Sequence, residues 1–313
     1  MPDSDPAAAL PADPATPPRR IAMIGLGVMG GPIARHLARA GHGLTIHARK
    51  PSRLHRWMAA NPDLAVQSAA SPADAAAGAD VVITCVGNDD DLADVVLSPN
   101  GVFSTLKRGG LFIDHTTVSA RIARQIAVEA RDKEILCVDA PMTGAQAGAE
   151  AGTLTLMCGG RPPAIEAARP IMSAYARLIV HVGKAGTGQA TKMVNQIALA
   201  GVTAGVAEAL RLAQAEHLDL DKVFEAISHG AAQSWQMDNR WHTMAADAFD
   251  DFGFAIDWMR KDLGLALDEG RGLGLSLPIT AMIDQLYADV QAMGGGRQDT
   301  SALIRRLPRR GAK

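Results

Sequence analysis

Apolar residues follow two regimes along this chain: short runs separated by helical segments, and then helical periodicity alone. The short runs are Ile21 to Ile24, Leu44 to Ala48, Ala65 to Gln67, Asp80 to Val86, Leu111 to Asp114, Glu134 to Val138, Leu154 to Cys158 and Leu178 to His181. Strands that alternate with helical segments predict a parallel, doubly wound sheet with helices on both faces. From residue 183 to Leu307 the pattern is helical, with a long helix from Thr187 to Ala215, another around Asp257 to Glu269 and one after Pro278. The predicted fold class is α/β, an N-terminal doubly wound domain with a mostly parallel sheet followed by an all-α C-terminal domain. Residues 1–18 are rich in Pro, Ala and Asp and read as a disordered tail, 19–182 as the sheet domain and 183–313 as the helical domain.

The first strand runs directly into Gly25-Leu26-Gly27-Val28-Met29-Gly30, and a helical pattern follows to Gly41. Strand, tight turn and helix around G-x-G-x-x-G are the signature of a dinucleotide-binding, Rossmann-type unit. Gly25 permits the turn, Gly27 lets the backbone approach a pyrophosphate, and Gly30 lets helix and strand pack closely. The helix N-terminus favours the negative charge. The second strand ends at Ala48-Arg49-Lys50-Pro51-Ser52-Arg53, where an NAD-preferring unit carries an acid and an arginine suits the extra phosphate of NADP. This basic cluster points to NADP, with NAD possible; an exposed basic loop is the alternative.

Ligands in such sheets bind beyond the carboxyl ends of the strands. Polar groups stand at three of these ends: Val86-Gly87-Asn88-Asp89, His115-Thr116-Thr117-Val118-Ser119 and Asp139-Ala140-Pro141-Met142-Thr143-Gly144-Ala145. Thr117 and Ser119 fit a helix cap equally well. At the entrance of the helical domain, Gly186-Thr187-Gly188 leads into a helix carrying Lys192 and, one turn on, Asn195. The two share a face, as a proton donor and its positioning partner would, and the glycines would let a ligand or cofactor approach the backbone. A solvated surface lysine is the competing reading.

Composition narrows the class. Hydrophobic residues make up 48% and charged residues 20%, within the range of soluble globular proteins, and the net charge of −2 gives no global field for nucleic acid or a membrane surface. The basic end, Arg305 to Arg310, reads as a solvated tail. No apolar stretch reads as both long and charge-free enough to span a bilayer. The cysteines Cys85, Cys137 and Cys158 each fall in a strand-like run and read as reduced, buried thiols, and the nine histidines are scattered, so no metal site is expected. With no apolar segment near the start, the expected compartment is the cytoplasm.

The glycine turn, the Asp139-Ala140-Pro141-Met142-Thr143-Gly144 loop, the Gly186 to Asn195 helix start and Met259-Arg260-Lys261-Asp262-Leu263 occur in an order that resembles the β-hydroxyacid dehydrogenase family, which includes 3-hydroxyisobutyrate dehydrogenases and tartronate semialdehyde reductases. The resemblance runs from Arg19 to Leu307. It implies Lys192 as the catalytic acid/base, with Asn195, Gln196, Thr143 and Gly144 on the substrate. It also implies a cofactor held by Gly25, Leu26, Gly27, Val28, Met29, Gly30, Arg49, Val86 and Gly87, with Thr117 near the nicotinamide and Lys261 and Asp262 closing the pocket. Ala145 replaces a frequent Gly and Ala48 a frequent Asn, which bear on substrate size and cofactor preference.

The implied reaction is reversible hydride transfer between NADP(H) and a small 3-hydroxy acid or its semialdehyde. A desolvated lysine can have its pKa lowered towards working pH for the accompanying proton transfer. Met142 to Ala145 and Ser234 to Arg240 are the expected specificity elements, unless Trp235 packs between helices and Arg240 lies on the surface. Imine reductases resemble this family but usually lack the lysine, and a non-catalytic NADP-binding interaction protein would not need it. The resemblance further implies a homodimer or homotetramer paired through the helical domains, where Ile197 to Leu212 is rich in small residues.

Overall fold

Alternate side chains of the first strand feed two different cores. In β1 (Arg20–Ile24), Ile21 and Met23 pack on one face of the sheet and Ala22 and Ile24 on the other. A central strand covered on both faces needs apolar residues throughout, which is why the run is continuous rather than alternating. The structure is a computed structural model and describes residues 17–250 and 253–308. The expected disordered tail thus lies outside the described residues except for Pro17 and Pro18, and Arg309 and Arg310 of the basic end also lie outside them.

The strands β1, β2 (Gly43–His47), β3 (Val66–Ser68), β4 (Val81–Thr84), β5 (Leu111–Asp114) and β6 (Leu136–Asp139) are parallel in the order 3-2-1-4-5-6. This is the dinucleotide-binding order, with β1 at the point where the direction of winding reverses. The sheet continues from β6 into the antiparallel β8 (Leu154–Gly160), which pairs antiparallel with β7 (Met142–Thr143) and parallel with β9 (Ala176–Gly183). Ile33 and Leu37 of α1 (Gly30–Arg39), Trp57 of α2 (Pro51–Ala60), Ala149 of α6 (Ala145–Ala151) and Ile165 of α7 (Pro162–Met172) pack on one face. Ala75 and Ala76 of α3 (Pro72–Ala76), Leu92 and Val96 of α4 (Asp89–Leu97) and Ile122 and Ile126 of α5 (Ala120–Asp132) pack on the other.

Two compact units part after Lys192, within the second turn of the long helix Thr187–Ala215, here called the junction helix. From Met193 onward the second unit is helical, its core formed by Leu210, Trp241, Met259, Leu263, Tyr287 and Ile304. By length and composition alone the junction helix could cross a membrane, contrary to the sequence expectation: its mean hydropathy reaches 1.3, because small apolar residues dilute its charges. The core helix of a soluble protein meets the same test. The thiols also differ from expectation. Cys158 is buried, but Cys137 is half-buried, and Cys85 is half-buried just past the end of β4.

Candidate active site

The glycine turn is built as its spacing predicts. Gly25 has φ +100°, and a Cβ there would overlap the Cys85 carbonyl; a Cβ on Gly30 would overlap the Gly25 carbonyl. Gly27, by contrast, has nothing within 4 Å of where its Cβ would stand. Leu26 is buried, Met29 packs partly against the core, and Val28 is 59% exposed. The N-terminus of α1 has no side-chain cap and no acid in its first turn. Open space over Gly27 beside uncapped helix amides fits a pyrophosphate held by the backbone of Leu26 to Met29.

Sequence proximity did not reveal the partner of Arg49. No acid stands at the end of β2, yet Asp91 on the first turn of α4 forms an ion pair with the Arg49 guanidinium. Nearby, Val86 and Gly87 are half-buried, and the Val86 N–H donates to Thr116 Oγ1 at 3.0 Å. Ser119 is a cap: its Oγ accepts the Ile122 N–H at 3.1 Å. Thr117 is half-buried between them.

The loop after β6 carries two consecutive left-handed residues, Gly144 at φ +128° and Ala145 at φ +54°. A non-glycine residue rarely adopts the latter, so the departure from glycine at Ala145 holds a methyl group in a strained backbone position. Thr143 is half-buried and Gly144 exposed.

Lys192 is only 8% exposed, so the solvated-surface reading fails. The glycines before it serve packing rather than ligand approach. A Cβ on Gly186, at φ +87°, would lie 2.9 Å from Arg124 Cγ, and one on Gly188 would lie 2.6 Å from the Asp139 carbonyl oxygen. The Asp139 carboxylate accepts the N–H groups of Gly186 at 2.8 Å and Gln189 at 3.1 Å. Gln189 is fully buried; its Nε2 donates to the Thr116 carbonyl at 2.7 Å and its Oε1 accepts the Val118 N–H at 3.1 Å, tying the Thr117 loop to the junction helix. Neither role was assigned from the sequence. The signal available was an acid at a strand end followed, far along the chain, by an uncapped helix start.

Burial pushes the Asp114 carboxyl up to about 7, against hydrogen bonds from Thr116 and Thr84, and the Asp139 charge adds to the rise. Burial likewise pushes Asp139 up to about 6, while the helix N–H groups pull the other way. His115 is driven down to about 4 by burial; its ring nitrogens meet the Ala140 carbonyl at 2.6 Å and the Tyr175 hydroxyl at 2.8 Å. Among the described residues no cluster of His, Cys, Asp and Glu could hold a metal ion.

In the second unit, Asn195 Nδ2 donates to Gln196 Oε1 at 2.7 Å, and buried Gln196 donates through Nε2 to Asp262 Oδ2 at 2.7 Å. Lys261 Nζ lies 3.2 Å from Asp262 Oδ1 and near the Trp258 ring. Arg240 differs from both expectations. It is 2% exposed and pairs in bidentate fashion with Asp299, Nε at 3.1 Å and Nη2 at 3.2 Å, while half-exposed Trp235 stacks over its guanidinium. A guanidinium buried in a bidentate pair with a buried carboxylate is a structural element of this unit.

Residues 20–183 match the family model described as the NAD binding domain of 6-phosphogluconate dehydrogenase. Residues 186–307 match the one described as NAD-binding of NADP-dependent 3-hydroxyisobutyrate dehydrogenase. The chain belongs to the β-hydroxyacid dehydrogenase family. An uncharacterized oxidoreductase of Shewanella frigidimarina is 51% identical over 92% of this chain and 98% of its own length. The 2-(hydroxymethyl)glutarate dehydrogenase of Eubacterium barkeri is 36% identical over 91% of this chain and 94% of its own length. The solved structure of 3-hydroxyisobutyrate dehydrogenase from Mycobacterium tuberculosis with L-serine superposes with a TM-score of 0.83 at 31% identity, covering 93% of this chain and 99% of that one. As a β-hydroxyacid dehydrogenase the chain is an NAD(P)-dependent oxidoreductase, and its sheet domain is the Rossmann domain that the glycine turn predicted.

Proposed function

We propose that the chain interconverts a small 3-hydroxy acid and its semialdehyde with NADP(H), using Lys192 as the general acid and base. The observation that carries this reading is a lysine withdrawn from solvent, 8% exposed, on a helix whose start is fastened by Asp139 and Gln189. A buried amine with fixed approach is suited to donating a proton to a carbonyl oxygen on reduction and taking the hydroxyl proton on oxidation. Bound nicotinamide supplies or accepts the hydride. Thr143 and Gly144 hold the carboxylate and hydroxyl, Asn195 orients the substrate, and Gln196, itself fixed by Asp262, orients Asn195. Thr117 and Lys261 serve the cofactor.

The ligands named for the relatives support the substrate class. Both 2-(hydroxymethyl)glutarate and L-serine carry a hydroxyl on the carbon next to the one bearing the carboxylate. One methylene in a pocket changes preference by only about 1–3 kcal/mol, so relatives can share a class without sharing a substrate. Arg49, at the end of β2 where an arginine suits the extra phosphate, supports NADP over NAD. The dispersed placement of the three cysteines, one in β6, one in β8 and one just past β4, supports a cytoplasmic setting. Exposed Val194, Val202 and Leu212 on the junction helix support pairing with a second copy, which light scattering of the purified enzyme checks.

The test is nicotinamide absorbance with NADP and NAD in turn across small 3-hydroxy acids and their semialdehydes, with cyclic imines as a control. Turnover of 3-hydroxy acids with NADP preference is the expected outcome. Turnover of imines alone would reject the reading.

A further inference from the structure

The strongest unassigned feature is the buried carboxylate that fastens the junction helix to the sheet. Asp139 ends β6, and its two oxygens accept the Gly186 and Gln189 N–H groups at 2.8 and 3.1 Å. These are among the amides that a helix start leaves without intrahelical partners, and a carboxylate there also meets the positive end of the helix dipole. The fit has no slack: a Cβ on Gly159 would lie 2.6 Å from one Asp139 oxygen, and a Cβ on Gly188 would lie 2.8 Å from the other. Lys192 follows Gln189 by less than one turn of the same helix.

We propose that Asp139 is a positioning residue for Lys192: its ionised carboxylate holds the first turn of the junction helix in the geometry that presents the amine, and its protonation loosens that turn. A carboxylate can accept from two N–H groups at once. A protonated carboxyl turns one oxygen into a hydroxyl, a donor and a much weaker acceptor than a carboxylate oxygen, so the N–H that faces it is held less tightly. The proposal rests on the reading of Lys192 as the acid/base.

The groups around Asp139 leave this titration within the working range. Asp114 faces it from β5, Cys137 from β6 and Cys158 from β8, and Arg124 of α5 lies against Gly186. Burial, with the Asp139 charge added, drives Cys137 upward and Cys158 up to about 12, so both thiols stay neutral. Of the two carboxyls, Asp139 ionises at about 6 and Asp114 at about 7.

Two measurements test the proposal. Hydrogen exchange of the wild type, corrected for intrinsic rates, is compared at about pH 5 and about pH 7.5. Protection of the amides from Gly186 to Lys192 is expected to be about tenfold lower at the acid pH. In Asp139→Asn, turnover is expected to fall about tenfold or more near pH 8 while the NADPH dissociation constant stays within about twofold, and the acid limb of the kcat/KM profile is expected to disappear. Protection unchanged with pH, or a folded Asp139→Asn enzyme with the wild-type rate and profile, overturns the proposal. If Asp139→Asn does not fold, wild-type exchange decides alone. Exchange in Lys192→Ala separates the two ideas, since the clamp is expected to remain pH-dependent there whether or not the lysine carries the chemistry.

Discussion

Arg49, at the end of β2, forms its ion pair with Asp91, a residue distant in the chain. The basic end of β2 was visible in the sequence, but the acid that holds Arg49 comes from α4, after two further strands and two helices, and only the sheet order brings them together. An exposed pair of this kind contributes little to stability, so its consequence lies in what a phosphate must displace. Arg49→Ala is expected to weaken NADPH binding about tenfold and NADH binding no more than about twofold, measured by nucleotide fluorescence titration. Asp91→Asn is expected to move selectivity the other way, further towards NADPH. Equal losses for both nucleotides in Arg49→Ala would contradict the assignment. Arg240 was illegible for the same reason: its partner Asp299 follows two helices later, and no spacing rule reports a bidentate pair closed by tertiary packing.

At the scale of elements, the glycine turn was legible because each glycine answers a local demand. Gly25 and Gly30 face backbone, whereas Gly27 faces open space, and the distinction gives two separable expectations. Gly30→Ala is expected to destabilise the fold by about 1–3 kcal/mol, read by thermal or urea unfolding. Gly27→Ala is expected to fold with wild-type stability yet bind NADPH at least about tenfold more weakly, because its methyl fills the space left for the pyrophosphate. A destabilised Gly27→Ala, or one that binds normally, would contradict the cradle. The alternation of strands and helices and the long helix from Thr187 were equally clear, since hydrophobic periodicity is local. The start of that helix was read for the wrong cause. Glycine spacing suggests close approach but does not say to what, and here the neighbours are Asp139, Arg124 and the sheet backbone.

For the molecule as a whole, two buried carboxyls with raised pKa values couple function to stability. Asp139 at about 6 and Asp114 at about 7 bind protons more tightly folded than unfolded, where an aspartate titrates near 3.9. Their contribution to stability is therefore fully present below about pH 4 and is lost as pH rises through about 6 to 7. Unfolding in urea is expected to require about 4 kcal/mol less at pH 8 than at pH 5 from these groups, and Asp114→Asn is expected to flatten that slope. An unchanged slope would contradict the shifts. The ionised clamp that fastens the junction helix thus comes at some expense of stability, a compromise common where a site needs a strained or desolvated group. The role of Lys192 is decided by turnover and NADPH affinity of Lys192→Ala, measured beside the wild type on its best 3-hydroxy acid. Unchanged NADPH binding is expected, with kcat reduced about 10²- to 10⁴-fold; a variant that binds NADPH and turns over at the wild-type rate would remove Lys192 from the chemistry.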